Sequence, residues 1–180
     1  EYAVVAAMLR DRGAIDESVQ VFEKALKIAP DNVEILRTFI PVLVDAGKID
    51  EARGFLRKAL ETTPRSVQLF VLAADAALAA NDMADARSYS AKAQAVEPEN
   101  EEVLACVVRV QLKGRRPDLA YAAASPLADQ FVRRGEAKKA LGLLVPIAKA
   151  APDNEDALKK IVDIAVTSGD EKGSAPFRSA

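Results

Sequence analysis

Three prolines, Pro30, Pro64 and Pro98, stand at equal intervals along this chain. The same order of small and large apolar residues recurs around each of them. Their interval is the period of about 34 residues that is typical of stacked helical hairpins, in which each unit buries its apolar face against its neighbours. The period therefore predicts an all-α array of helix hairpins.

A turn signal lies within each period, between two runs of helical periodicity. The three turn signals are Gly13, Gly47 and Asn81. Acidic residues follow each of them, and negative charge in a first helical turn is favoured by the helix dipole. Each unit is therefore predicted to be a helix, a tight turn, a second helix and a proline.

Small side chains recur on one face of the second helices, at two positions that lie two helical turns apart. They are Ser18, Ala52 and Ala86 at the first position, and Ala25, Ala59 and Ala93 at the second. Small residues let two helix axes approach closely, while Phe22 and Leu56 fill the groove between them. We expect these positions to serve packing rather than function.

One unit carries the recurring pattern of small and large apolar residues, turn glycine and closing proline almost completely. Its positions are Leu36, Phe39, Ile40, Leu43, Gly47, Ala52, Leu56, Ala59 and Pro64. In this pattern the chain resembles the tetratricopeptide repeat (TPR) family. Residues 1–32 and 67–100 match more weakly, Gly135, Ala140, Leu144 and Pro152 give another unit, and Leu158, Ile161, Val162 and Gly169 begin a last one. The resemblance implies a right-handed α-solenoid of antiparallel helix hairpins with about five repeats, one of them truncated.

The repeats predict a single solenoid over residues 1–170, followed by a linker or frayed tail over 171–180, where Gly173 and Pro176 interrupt any helix. Its expected units are 1–32, 33–66, 67–100, a shortened 101–124, 125–154 and a terminal helix 155–168.

The period fails after Pro98. Two full periods beyond it would reach Val166, whereas the proline that closes the next complete unit is Pro152. Ser125 before Pro126 suits a helix cap and a first helical position. The preferred interpretation is therefore a short helix near 118–124 and a new one near 126–134. The alternative is one kinked helix over 117–134, because an interior proline removes one hydrogen bond but does not always end a helix.

The resemblance also implies where a partner would bind, because the first helix of each hairpin lines a concave groove in TPR proteins. In this register Ala3 and Ala7 face inward in the first unit. The partner-binding candidates are Glu34, Arg37, Pro41, Gln68, Val71, Asp75, Arg109 and Asp129. Members of the family that bind chaperone tails hold a terminal carboxylate with Lys, Asn and Arg. That clamp is absent here, since its positions are Ala3, Ala7, Thr38, Gln68 and Leu72.

Six cations lie at predicted turns, namely Arg115, Arg116, Arg133, Arg134, Lys138 and Lys139. Hairpin geometry would bring these turns to one edge, and such a basic edge suits an acidic protein surface. Nucleic acid is not an expected partner, because no aromatic residues are interleaved for base stacking and the net charge is −2.

Catalysis is poorly supported by these residues. The chain has no histidine, and its one cysteine, Cys106, lies on an apolar helical face. There is no glycine-rich phosphate loop and no clustered ligand set. We therefore predict that the chain is not an enzyme and holds no cofactor or metal. No stretch is apolar over the roughly 18 residues that would predict membrane insertion.

The expected function is a scaffold for protein–protein interaction that binds a peptide or partner protein. Since Glu1 is not a start methionine, we expect the chain to belong to a larger protein. The alternative is a structural spacer or self-association module that forms a homo-oligomer, and a third hypothesis is a regulatory domain of an enzyme outside this chain. The alanine-rich composition favours a bacterial source. No motif specifies a compartment, and we expect the cytoplasm.

Overall fold

The turn signals of the sequence separate helices along the chain. The computed structural model describes residues 4, 5, 8 and 12–169, so the predictions for Ala3, Ala7 and the tail 171–180 lie outside the described residues. Over 12–169 the chain forms helices and no strand. The helices are α1 Ile15–Ile28, α2 Val33–Asp45, α3 Ile49–Thr62, α4 Val67–Ala79, α5 Met83–Val96, α6 Glu101–Lys113, α7 Pro117–Arg133, α8 Ala137–Ala150 and α9 Glu155–Ser168. The predicted all-α hairpin fold is confirmed.

The chain divides into two compact units, Glu1–Val96 and Glu97–Ala180. The first contains α1 to α5, and the second contains α6 to α9. In each unit, helices that follow one another in the sequence pack together.

Positive backbone φ angles close the turns inside the hairpins of the first unit. Gly47, between α2 and α3, has a φ of 74°, and the N–H of Lys48 donates to the carbonyl of Leu43 over 2.8 Å. Asn81 takes the same conformation between α4 and α5, with a φ of 56°. Glycine and asparagine are the residues that tolerate this left-handed region best, which explains why they mark the turns.

Side-chain caps start the first helix of each later hairpin. Asn32 Oδ1 accepts the N–H of Ile35 at 3.1 Å, and Asn154 Oδ1 accepts the N–H of Ala157 at 2.9 Å. Each cap satisfies a backbone donor that has no partner inside the helix. The helix starts are therefore specified by residues next to them in the sequence.

The core of the first unit is aromatic at one end. The rings of Phe22 and Phe39 stack with centroids 4.9 Å apart, and Phe55 meets Phe39 edge-on at 5.2 Å. The small residues predicted to pack are all buried, with at most 3% of their surface exposed: Ser18, Ala25, Ala52, Ala59, Ala86 and Ala93. Their predicted packing role is confirmed.

The helix α7 corrects the preferred interpretation of the broken period. It runs from Pro117 to Arg133 with Pro126 inside it, so the predicted pair of helices near 118–124 and 126–134 is wrong and the single-helix alternative holds. The ring of Pro126 is exposed, and the opposite face is apolar on both sides of it. That buried stripe consists of Ala120, Ala123, Ala124, Leu127, Ala128 and Phe131. Burial of one continuous stripe outweighs the single hydrogen bond that the proline removes.

A whole helix is missing where the period fails. Three helices, α6, α7 and α8, fill the interval that four would occupy in two regular repeats. The helix α7 has 17 residues, whereas its neighbours α6 and α8 have 13 and 14. It packs against α6 on one side and α8 on the other, and so belongs to two hairpins at once. The expected unit boundary at 124/125 therefore falls inside a helix.

Candidate functional site

The predicted partner-binding face of the first unit lies on α2 and α4, which contact each other directly. Glu34, Arg37 and Pro41 are exposed along α2, and Gln68 is exposed on α4. The hydroxyl of Thr38 donates to the carbonyl of Glu34 at 3.1 Å. We call the exposed side of these two helices the α2/α4 face.

Two other predicted residues of α4 are less accessible. Val71 is only 3% exposed, so it packs inside the unit and its prediction as a contact residue is wrong. Asp75 is half-buried. The physical reason is that α4 is apolar on nearly every side, with Phe70, Ala73 and Ala74 buried as well.

In the second unit, the predicted residues Arg109 and Asp129 are both exposed, on α6 and α7. Asp129 pairs with Lys160 of α9, with Oδ1 and Nζ 2.8 Å apart, and Lys160 also donates to the hydroxyl of Ser125 at 2.7 Å. The hydroxyl of Tyr121 donates to the carbonyl of Asp156 at 3.1 Å. Asp129 therefore helps to hold α9 against α7, and a partner-binding role stays a prediction.

The six predicted cations do not form one edge. Arg115 and Arg116 precede α7, whereas Arg133 lies in its last turn and Arg134, Lys138 and Lys139 follow it. A helix of 17 residues is about 25 Å long at 1.5 Å per residue, so it separates the two groups. Arg134 pairs with Glu101 at 2.7 Å, and Lys139 pairs with Glu136 at the same distance. The predicted continuous basic edge is wrong because α7 does not break at Pro126.

A groove that the sequence did not predict lies between α3, α4 and α5. It has a volume of about 530 Å³, and we call it the α3/α5 groove. Its floor is formed by Leu60, Phe70 and Tyr89. Phe70 is 7% exposed, and its ring centroid lies 6.4 Å from that of Tyr89. A cavity of this size with an aromatic floor fits a large apolar side chain.

The rim of the α3/α5 groove is mostly cationic. Arg57, Arg65 and Lys92 line it with one carboxylate, Glu61. The Lys92 ammonium lies 5.1 Å from the centroid of the Tyr89 ring, within the range of a cation–π contact. A comparison of equivalent repeat positions in the sequence would have drawn attention to Arg57 and Arg65. Their counterparts one period earlier are the acidic residues Glu23 and Asp31, so the charge changes sign at both positions.

An ion-pair cluster fixes α3 against the start of α5 beside this groove. Arg53 Nη2 lies 2.9 Å from Asp82 Oδ2 and also binds Asp85. Asp82 caps α5, since its Oδ1 accepts the N–H of Asp85 at 3.1 Å. That backbone hydrogen bond, with help from Arg53, lowers the pKa of Asp82, and hydrogen bonds to Asp82 and Asp85 raise the pKa of Arg53. The cluster keeps the two helices that border the groove in register.

Cys106 is fully buried in α6. Among residues 4, 5, 8 and 12–169, no group of His, Cys, Asp and Glu could hold a metal ion. In the same part of the chain, none of the helices has the length and hydrophobicity that a bilayer span requires.

Comparison with known proteins identifies the repeats. The sequence profile of the family described as Tetratricopeptide repeat matches residues 9–76, which include α1, α2, α3 and most of α4. Residues 9–76 of the chain carry tetratricopeptide repeats. TPR proteins generally mediate protein–protein interaction and are typically non-catalytic scaffolds. No curated protein matches the chain in sequence.

Solved structures of other proteins share the fold of this chain over most of its length. The crystal structure of the MamA protein aligns with a TM-score of 0.67 at 19% identity, covering 99% of this chain and 94% of that one. TTC0263, a thermophilic TPR protein of Thermus thermophilus, aligns with a TM-score of 0.55 at 19% identity, covering 92% and 97%. YrrB, described as a TPR protein with an unusual peptide-binding site, gives 0.51 at 17% identity, covering 88% and 89%. At these identities the likeness concerns the fold alone.

Proposed function

We propose that this TPR chain is a protein-binding scaffold and that its α2/α4 face holds a peptide or a segment of a partner protein. The observation that carries the proposal is the direct contact between α2 and α4, the first helices of successive hairpins. Glu34 and Gln68 occupy equivalent repeat positions on these helices and are both exposed. A partner lying across both helices would meet the same position twice.

The chemistry of the α2/α4 face suits a polar or mixed partner segment. Glu34 and Arg37 supply one charge of each sign within one helical turn, and Pro41 adds an exposed apolar ring. Sparse charges of both signs contribute more to the alignment of a bound segment and to the choice of partner than to binding affinity. The peptide-binding site named for YrrB is a property of that protein, and it supports the proposal only by showing that a related fold holds a peptide.

Charge exchange on α2 tests this function. The variant E34K/R37E keeps the net charge and alters only exposed side chains. Its matched control is E17K/K24E, which makes the same exchange on exposed positions of α1. Each protein is used as bait with cells that produce it, and captured proteins are quantified by mass spectrometry. We expect the wild type and the control to capture the same partner, and E34K/R37E to lose it while melting at the wild-type temperature.

Equal capture by all three baits would contradict binding at the α2/α4 face. Sedimentation velocity on the purified wild type separates this function from self-association. If the only captured protein is the chain itself and its sedimentation coefficient rises with concentration, the chain is a self-association module and the proposal fails.

A further inference from the structure

The residues that line the α3/α5 groove carry a net positive charge, opposite in sign to the net charge of the whole chain. The net charge of the protein is −2, yet three cations and one carboxylate line this groove. Among the described residues, no ion pair joins Arg57, Arg65 or Lys92 to a carboxylate. A net excess of positive charge around one cavity favours an anionic occupant.

The internal repeat shows that the fold does not require these cations. Equivalent positions one period earlier hold Glu23 in place of Arg57 and Asp31 in place of Arg65. The same architecture therefore accepts the opposite charge at both places. The positive rim is a property of this one groove and not of the TPR repeat.

The floor of the groove favours a ligand that carries an apolar group as well as a negative charge. Leu60, Phe70 and Tyr89 line the groove together, and a purely ionic contact with the rim would not cover their apolar surface. An inorganic anion would leave this floor exposed to water. A peptide that places an apolar side chain between carboxylates would satisfy both the floor and the rim.

We propose that the α3/α5 groove binds a short acidic segment of a partner protein. An aromatic or large aliphatic side chain of that segment packs on the surface formed by Leu60, Phe70 and Tyr89. Flanking carboxylates pair with Arg57, Arg65 and Lys92. The residues involved come from α3, the α3–α4 turn, α4 and α5, so this site is distinct from the α2/α4 face. The Arg53 cluster next to it holds the two bordering helices in place.

The probe is a set of fluorescent capped octapeptides, each with three glutamates on either side of two central residues. The central pair is Phe-Phe, Leu-Leu or Ser-Ser, and a fourth peptide has lysines around Phe-Phe. Fluorescence anisotropy measures binding to the full chain in buffer with about 0.05 M salt, where charge pairs are least screened. We expect the acidic Phe-Phe and Leu-Leu peptides to bind, the acidic Ser-Ser peptide to bind at least about tenfold more weakly, and the lysine peptide not to bind.

Charge-reversed variants then locate the site. R57E/R65D copies the residues of the preceding repeat, and K24E/K58E changes the net charge equally on exposed lysines that occupy, in α1 and α3, the repeat position of Lys92. We expect R57E/R65D to weaken the acidic Phe-Phe peptide by about tenfold or more, because two exposed pairs become repulsions. The control K24E/K58E and the α2/α4 variant E34K/R37E should bind it like the wild type, so failure of this proposal is separate from failure of the proposed function.

Several results would overturn the proposal. They are no binding of either apolar acidic peptide at protein concentrations up to about 1 mM, equal weakening by R57E/R65D and K24E/K58E, and equal binding of the Ser-Ser and Phe-Phe peptides. Two alternative occupants of the groove are tested separately. Tighter binding of a labelled oligothymidine than of any peptide would assign the groove to nucleic acid, and a wild-type dimer that R57E/R65D dissociates would assign it to a second copy.

Discussion

Replacing Ala52 by leucine tests how tightly the second helices must approach their neighbours. Ala52 has no exposed surface and belongs to the core cluster that contains Phe39 and Leu56. Leucine adds three carbon atoms at a place where the neighbouring helix leaves no room. Overpacking of this kind costs about 1–3 kcal/mol, since side chains and backbone must shift to admit it.

For a protein of this size, 1 kcal/mol lowers the melting temperature by about 2–4 °C, so Ala52→Leu should melt about 2–12 °C below the wild type. The assay is differential scanning calorimetry together with guanidinium unfolding followed by circular dichroism. The matched control is Ala91→Leu, which adds the same atoms at an exposed position of α5 and should melt within about 1 °C of the wild type. An unchanged melt for Ala52→Leu, or an equal loss in both variants, would refute the close-approach reasoning.

Three further perturbations follow from the local structure. Asp82→Asn should lower the melting temperature more at pH 7 than at pH 3. The pKa of Asp82 is lowered on folding, so its stabilisation through Arg53 and the helix cap is fully present above the ordinary value of 3.8 and is lost as the pH falls through the folded value. A difference between the two proteins that is the same at both pH values would contradict this. Pro126→Ala should stabilise the second unit by about 1–3 kcal/mol, because it restores a hydrogen bond inside α7, and a lower denaturation midpoint would show that the proline geometry is required. Asn154→Ala should cost about 1 kcal/mol in urea unfolding by removing the cap on the N–H of Ala157, whereas Asn154→Ser, whose hydroxyl can accept the same N–H, should cost less.

The fold was predictable because its determinants are local and repeat. Gly47 and Asn81 mark turns that need a positive φ, and caps such as Asn32 sit next to the helices they start. Apolar positions recur at helical spacing, so each hairpin specifies itself from its own sequence. The period of the prolines then sets how hairpins follow one another.

The candidate site was predicted less well, because accessibility depends on neighbouring helices. Val71 occupies the repeat position of the exposed Arg37, but α4 is buried on more of its circumference than α2. The α3/α5 groove joins residues from α3, α4 and α5 that no single helical pattern connects. Register along one helix does not report what packs against it from another.

The sequence by itself determined the helices, their caps and turns, and the small residues that let them pack, because each depends on contacts within one hairpin or one turn. The tertiary structure decided the rest. Pro126 next to Ser125 permits either a helix start or an interior proline, and only the burial of the stripe from Ala120 to Phe131 against α6 and α8 makes α7 continuous. Because α7 is continuous, the array has one helix fewer than two regular repeats would give. The length of α7 also separates Arg115 and Arg116 from the cations at its other end.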